Sequence, residues 1–151
     1  MTPEERLAEL GLTVPEVAAP VAAYIPAVRS GIHVFTSGQL PMRDGQLMAT
    51  GKVGGEVTQE EAVACARQCA LNALAAIRAE LGDLSQVKRV VKVVAFVAST
   101  PDFTGQPLVA NGVSELLGDV FGDAGRHARS AVGVPVLPLD APVEVELVVE
   151  V

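Results

Sequence analysis

The sequence predicts an α+β sandwich: one mainly antiparallel sheet with two helices on one face. Three observations lead there. Residues 143–151 alternate, with Val143, Val145, Leu147, Val149 and Val151 set against Glu144, Glu146, Val148 and Glu150. A strand built on that pattern has one aliphatic face and one face bearing carboxylates. Residues 58–82 carry apolar side chains at three- and four-residue steps between a capping signal and a terminal glycine, the pattern of a long amphipathic helix. Half of the chain is hydrophobic yet only 3% is aromatic. The core must therefore be built from Val, Ala and Leu, whose small side chains suit closely packed helix-on-sheet layers.

At 151 residues, the chain holds one domain with a sizeable core. A net charge of -7 argues against nucleic acid as a partner, because binding a polyanion relies on a basic footprint. No apolar run approaches the ~20 residues of a membrane span. The start, Met1-Thr2-Pro3-Glu4-Glu5-Arg6, lacks the basic-then-apolar order of a secretory signal, so a cytoplasmic protein is expected. Cys65 and Cys69 stand four apart in a helical pattern, neither a redox pair nor a zinc knuckle. With His33 and His127 the only histidines, a metal site is poorly supplied, and both thiols are expected to be buried and inert.

Residues 1–23 read as an N-terminal arm, with a short helix over 3–11 ending at Gly11 and a Pro- and Ala-rich surface segment over 14–23. Residues 24–151 form the domain. Residues 24–29 and 32–39 flank Ser30-Gly31 and predict a hairpin, in which Pro26 demotes the first strand to an edge. The second run is apolar on both faces, so both should be covered. Residues 41–57 are a turn-rich connection. Gly51-Lys52 resembles a phosphate loop but fails it, because Val53 stands where Ser or Thr belongs and Gly45 lies one position too far upstream.

Thr58-Gln59-Glu60-Glu61 opens the long helix as a capping box, Val63, Ala66, Ala70, Leu74, Ile77 and Leu81 form its stripe, and Gly82 ends it. Gln68 and Asn72 on that helix suit surface or helix–strand hydrogen bonds. Residues 87–97 are a β-branched strand whose second half has no polar face, which suggests a β-α-β crossover. A second helix spans 107–121, and the Asn111-Gly112 break inside it reads as a close-packing point. Two further strands follow, joined by a tight connection near residues 138–142. If Ser130, Val132, Val134 and Val136 face the core, then Arg129, Ala131, Gly133 and Pro135 share the opposite face with Glu144. Arg129 would then have room beside it. Two helices cover only one face of the sheet, so the other calls for a closed homo-oligomer, with sites in the interface clefts.

Phe35-Thr36-Ser37-Gly38-Gln39-Leu40-Pro41, the strand over 90–97, and Ala128-Arg129-Ser130 followed by Leu137-Pro138 and Val143-Glu144-Val145-Glu146 resemble the RidA/YjgF family of reactive-intermediate deaminases, also labelled endoribonuclease L-PSP. The likeness runs from about Tyr24 to Val151. It implies a chorismate-mutase-like fold, a homotrimer with three intersubunit clefts, and hydrolysis of enamines and imines such as 2-aminoacrylate to 2-keto acids and ammonia, without cofactor or metal. Carried over by position, Arg129 matches the residue that grips the substrate carboxylate. Glu144 matches the acid that holds or activates water, and Tyr24 the site tyrosine. Ser37 falls in the Ser-Gly-Gln motif, and Asn111 matches the asparagine of the second helix. The chain departs from the family in having Ala131 where a cysteine is usual, His127 where a proline is usual, and Gly133 in place of a larger residue. A wider pocket that takes a larger substrate, or a deaminase activity reduced or lost, would follow from these changes.

The chemistry suits those residue types. Arginine's planar fork takes a carboxylate in two parallel hydrogen bonds, and a nearby carboxylate can accept the proton of an attacking water. Bland readings stand beside these: an Arg129 ion pair with Glu144 or Glu146, an interface carboxylate at Glu144, edge packing at Tyr24, and a surface or interface role for His127. Three functions remain open: the deaminase, a non-catalytic trimer binding small carboxylates or a partner protein, and an endoribonuclease, which the acidic charge disfavours.

Overall fold

The computed structural model describes residues 1–19 and 23–151. In chain order its elements are α1 (Pro3–Glu9), β1 (Ala27–Ser30), β2 (His33–Thr36), β3 (Met42–Arg43), β4 (Gln46–Leu47), α2 (Gln59–Leu81), β5 (Arg89–Ala98), α3 (Gln106–Phe121), β6 (Ala128–Val134) and β7 (Val143–Glu150). The main sheet has the order β1-β2-β7-β5-β6. Strand β7 runs antiparallel to both neighbours, β1 and β2 form the predicted hairpin, and β5–β6 is the one parallel pair. The architecture is the α+β arrangement that the sequence predicts. Helix α2 crosses from β2 to β5 with β7 between them, and α3 joins β5 to its parallel neighbour β6, since parallel strands need a long crossover. Within the stretch read as a plain connection, β3 and β4 pair across Asp44 and Gly45, both at positive φ.

Helix α2 is the centre of the core. Thr58 Oγ1 accepts from the Glu61 N–H at 3.1 Å, the hydroxyl half of the expected box, and Gly82 closes the helix at φ 87°. A complete capping box stands at α1 instead, where Thr2 Oγ1 accepts from the Glu5 N–H and Glu5 Oε2 from the Thr2 N–H. Residues 69–77 are buried around the whole circumference of α2, wider than the single stripe read from the sequence. The sheet packs on one side and α3 on another. Small residues make this approach close: a Cβ added to Gly112 would fall 2.4 Å from the Val63 carbonyl oxygen. Asn111-Gly112 is thus a close-packing point, as expected.

The N-terminal segment is bound more tightly than a surface arm. Leu7 is buried in the core, Arg6 Nη1 donates to the Val120 carbonyl at 3.4 Å, and Glu4 Oε1 accepts from the Leu84 N–H at 2.9 Å. Leu12 and Val14 pack against the same core, and Arg78 Nη2 donates to the Val14 carbonyl at 3.4 Å. Residues 20–22 of the predicted arm lie outside the described residues.

The two sheet faces differ as β7 requires. Val143, Val145, Leu147 and Val149 are buried beneath α2, while Glu144 and Glu146 lie opposite Phe96 and Val94 of β5 on the other face. Strand β6 takes the phase opposite to the predicted one. Arg129, Ala131 and Gly133 pair with Val93, Ala95 and Val97, which are wholly buried under the helices. Ser130, Val132 and Val134 therefore share the open face, and Val132 is 44% exposed. The reason is size: α3 comes so near that a Cβ on Gly133 would stand 2.8 Å from Gln106 Nε2. The last two strands are not neighbours either, because β5 lies between them. The second faces of β2 and β5, expected to be covered, are partly open within one chain: Phe35 is 43% exposed, and Val94 and Phe96 are half-buried.

Gly112→Ala tests the helix contact. Overpacking costs about 1–3 kcal/mol and outweighs the ~1 kcal/mol gained in helix propensity, so thermal unfolding should show a lower Tm despite the better helix former.

Candidate active site

The segment after β2 builds one half of the candidate site. The Ser37 N–H donates to the Pro26 carbonyl at 2.8 Å, and Ser37 Oγ donates to the Ile25 carbonyl at 2.5 Å. These bonds prolong the hairpin and draw Tyr24–Pro26 alongside Ser37. Gln39 then exchanges backbone hydrogen bonds with Val145 at 2.7 and 3.0 Å, switching the chain across to β7. Between them lies Gly38, where a Cβ would fall 2.1 Å from Glu144 Oε1. The glycine leaves the space in which the carboxylate sits. On the other side Asn72, from inside α2, donates to the Leu40 and Met42 carbonyls at 3.0 Å each and accepts from Gln68 at 3.1 Å. These are the helix–strand hydrogen bonds expected of that pair.

Together these residues line a mostly apolar cavity of about 440 Å³. Tyr24, Ser37, Gln39 and Glu144 supply its polar groups, and Ala18, Ala19, Pro26, Leu40, Met42 and Pro138 its apolar wall. Pro138 is held there by a turn with Leu139 and Asp140 at φ 59° and 58°. Left-handed backbone at a bulky residue costs about 1–3 kcal/mol. The Lys52–Asp140 ion pair and the Gly51 N–H on the Asp140 carbonyl secure the turn. Burial raises the pKa of the Glu144 carboxyl above the ordinary value, and the neighbouring Glu146 charge adds to the shift.

The second half lies under α3. Arg129 Nη1 donates to Asn111 Oδ1 at 2.9 Å and Ser114 Oγ at 3.1 Å, and Nη2 to the Pro107 carbonyl at 3.3 Å. All three acceptors are neutral, so the guanidinium is oriented without an ion-pair partner among the described residues. Among the described residues the one ion pair is Lys52–Asp140, and the alternative pairing of Arg129 with Glu144 or Glu146 does not form. Arg129 borders a second cavity, of about 350 Å³, with Ser114, Gly118, Gly125, Arg126 and His127.

The predicted residues thus fall into two groups. Tyr24, Ser37 and Glu144 meet in one cavity, while Arg129 and Asn111 meet on the other face of the sheet. The expectation that Arg129 and Glu144 share a face within one chain is corrected, because β6 takes the opposite phase. The room inferred beside Arg129 is likewise filled: Ala131 packs against the core and Gln106 occupies the space at Gly133. Sequence reasoning missed Ser114 and set His127 aside, although Ser114 stands three residues after Asn111, on the same helix face. The cysteines take no part. Burial pushes Cys65 up to about 11 and the wholly buried Cys69 well above its ordinary value. Among the described residues no group of three His, Cys, Asp or Glu side chains could hold a metal ion, and no helix is long and apolar enough to cross a membrane.

The raised Glu144 pKa has a stability consequence. The folded chain favours the protonated carboxyl, so this contribution is full at low pH and is lost as pH rises through the raised pKa. Glu144→Gln should raise the Tm at pH 8, and the gap to wild type should narrow by pH 5 in paired thermal melts.

Residues 4–151 match the family model described as "YjgF/chorismate mutase-like, putative endoribonuclease". The match begins within α1, whose Leu7 belongs to the common core. The chain is 50% identical over 145 residues to protein TCP17 of Trypanosoma cruzi, covering 95% of this chain and 91% of that one. It is 31% identical over 138 residues to a 2-iminobutanoate/2-iminopropanoate deaminase of Dermatophagoides farinae, covering 91% and 93%. A solved structure of an Agrobacterium tumefaciens protein of unknown function has a TM-score of 0.93 and 47% identity, covering 99% of this chain and 92% of that chain. With fold, motifs and full-length similarity in agreement, the chain belongs to the YjgF/RidA family.

Proposed function

We propose that the protein hydrolyses 2-imino acids and their enamine tautomers, such as 2-aminoacrylate, to 2-keto acids and ammonia, in clefts shared between the subunits of a homotrimer. One observation carries the reading: two groups of opposite charge lie on opposite sheet faces, each suited to be half of a site. One is an oriented guanidinium without a counter-charge, at Arg129. The other is a half-buried carboxylate with raised proton affinity, Glu144, in a mostly apolar cavity. Neither half is a hydrolytic site alone, and a cleft that joins one chain's Arg129 half to the neighbour's Glu144 half is. The exposed apolar side chains of the open face, Val28, Phe35 and Val132, are the kind of patch that a closed ring buries. The deaminase named among the relatives supports the reaction class.

The chemistry needs little machinery. Arg129 takes the substrate carboxylate in two parallel bonds and fixes the adjacent C=N carbon for attack. Glu144 accepts a proton as water adds to the carbon of the protonated imine, forming a neutral carbinolamine. It returns that proton to nitrogen, and the hydroxyl proton passes to the freed carboxylate as the C–N bond breaks and the C=O forms. Ammonia is released, and the carboxylate sheds its proton to solvent. A raised pKa makes Glu144 a better base than an ordinary carboxylate. Tyr24 and Ser37 line the cavity beside it, with the Ser37 proton already given to the Ile25 carbonyl, and Asn111 holds Arg129 from α3. No step calls on a metal, a cofactor or the thiol that Ala131 replaces.

The test is release of ammonia and 2-keto acid from imines generated in situ, compared with spontaneous hydrolysis. The wild type should accelerate it, and Arg129→Ala and Glu144→Gln should each fall to the background rate. Refolding the two variants together should recover about a quarter of wild-type activity, because random pairing joins intact halves in that share of clefts. A site within one chain would show no recovery, which would overturn the shared cleft. No acceleration by the wild type for any imine would overturn the deaminase and leave a carboxylate-binding protein.

A further inference from the structure

His127 takes no part in the proposed reaction, yet its ring is fixed at both nitrogens. Nδ1 lies 2.6 Å from the Gly125 carbonyl oxygen and Nε2 2.9 Å from Ser114 Oγ. A carbonyl only accepts, so Nδ1 carries the proton, and in the neutral ring Nε2 accepts from the Ser114 hydroxyl. With its proton committed to His127, the Ser114 oxygen turns its lone pairs toward Arg129 Nη1, 3.1 Å away. The far end of the chain is anchored too. A Cβ on buried Gly125 would fall 2.2 Å from the Leu117 carbonyl oxygen, so the backbone that holds the ring is pressed against α3.

Pro107, Asn111 and Ser114 stand at four- and three-residue steps and present their acceptors from one face of α3. Two of those acceptors have fixed directions, a backbone carbonyl and a planar amide. The third is a hydroxyl rotor, which aims its lone pairs only if something takes its proton. His127 is that acceptor. We propose that His127, acting through Ser114, is a positioning residue that holds the Arg129 guanidinium in the plane in which it receives the substrate carboxylate. The proposal rests on the carboxylate-binding role of Arg129 in the deaminase reading.

Kinetics and equilibrium binding test it together. His127→Ala and Ser114→Ala should each raise KM roughly tenfold and leave kcat within about twofold, the signature of binding lost equally from ground and transition state. Pyruvate, as a product-like carboxylate, should bind more weakly by the same factor in calorimetry. Because both residues act along one chain, the double variant should be no worse than the poorer single one. His127→Gln keeps an acceptor for the Ser114 hydroxyl and should restore KM to within about threefold of wild type. A purely structural histidine would lower the Tm and the active fraction without moving KM, and that result overturns the proposal. Unchanged KM and pyruvate affinity in His127→Ala, with Arg129→Ala inactive, overturn it while the deaminase stands. Weakened pyruvate binding without turnover in any form supports the positioning role and overturns the deaminase instead.

Discussion

Strand β7 has one face that must be dry, and the rest of the molecule is arranged to meet that demand. Val143, Val145, Leu147 and Val149 lie buried beneath α2, each side chain contributing about 1.5–3 kcal/mol through burial. A slip of one residue would turn these four to solvent and drive the glutamates into the core, so the register is tightly specified. Its neighbours on both sides run antiparallel to it, which forces α2 to span the sheet to reach β5. The alanines of α2 and the bare Cα of Gly112 let both helices sit low enough to seal that face. Glu144 is positioned by the same constraint. Its neighbours in sequence face inward, so it faces outward, and Gly38 leaves it somewhere to rest.

The geometry also keeps the two charged groups apart. Had Arg129 and Glu144 shared a face, the nearest solution for both would have been a salt bridge, and neither would have been left unpaired. Placing them across the sheet removes that outcome by covalent geometry alone. Arg129 then settles among neutral oxygens, which aim it without quenching it. Glu144 settles in a poorly solvated cavity, where burial makes it a stronger proton acceptor. In the proposed reaction both groups would thus be set before anything binds, the condition under which fixed charges contribute most.

Much of this was legible in the residues. The alternation of β7, the Thr58 and Gly82 signals at the ends of α2, the tight contact at Gly112 and the first hairpin are local patterns that correspond to the structure, although the hairpin turn falls at Gly31-Ile32, one residue later than the sequence suggested. The motif around Ser37 and the Arg129 and Glu144 positions pointed to residues that line the two cavities. The phase of β6 was not legible. Val132 and Val134 look like core by hydropathy, but the space under α3 admits only Ala131 and Gly133, and the clearance of a neighbouring helix leaves no periodic trace. The insertion of β5 between the last two strands is a non-local pairing, equally invisible along the chain. The bond from His127 through Ser114 to Arg129 depends on side-chain directions, and Leu7 joins a core assembled more than a hundred residues later.

A chain that carries the two proposed half-sites on opposite faces would hold an unusual evolutionary position. In the proposed ring, one chain's Arg129 surface and that same chain's Glu144 surface never serve the same cleft. After a gene duplication, one copy could therefore lose its arginine half and the other its glutamate half without either loss being immediately lethal to function. Each copy would then need the other, and mixed rings would persist through the clefts in which intact halves meet. An obligate hetero-oligomer could arise in this way by decay alone, with no new contact ever having to be invented.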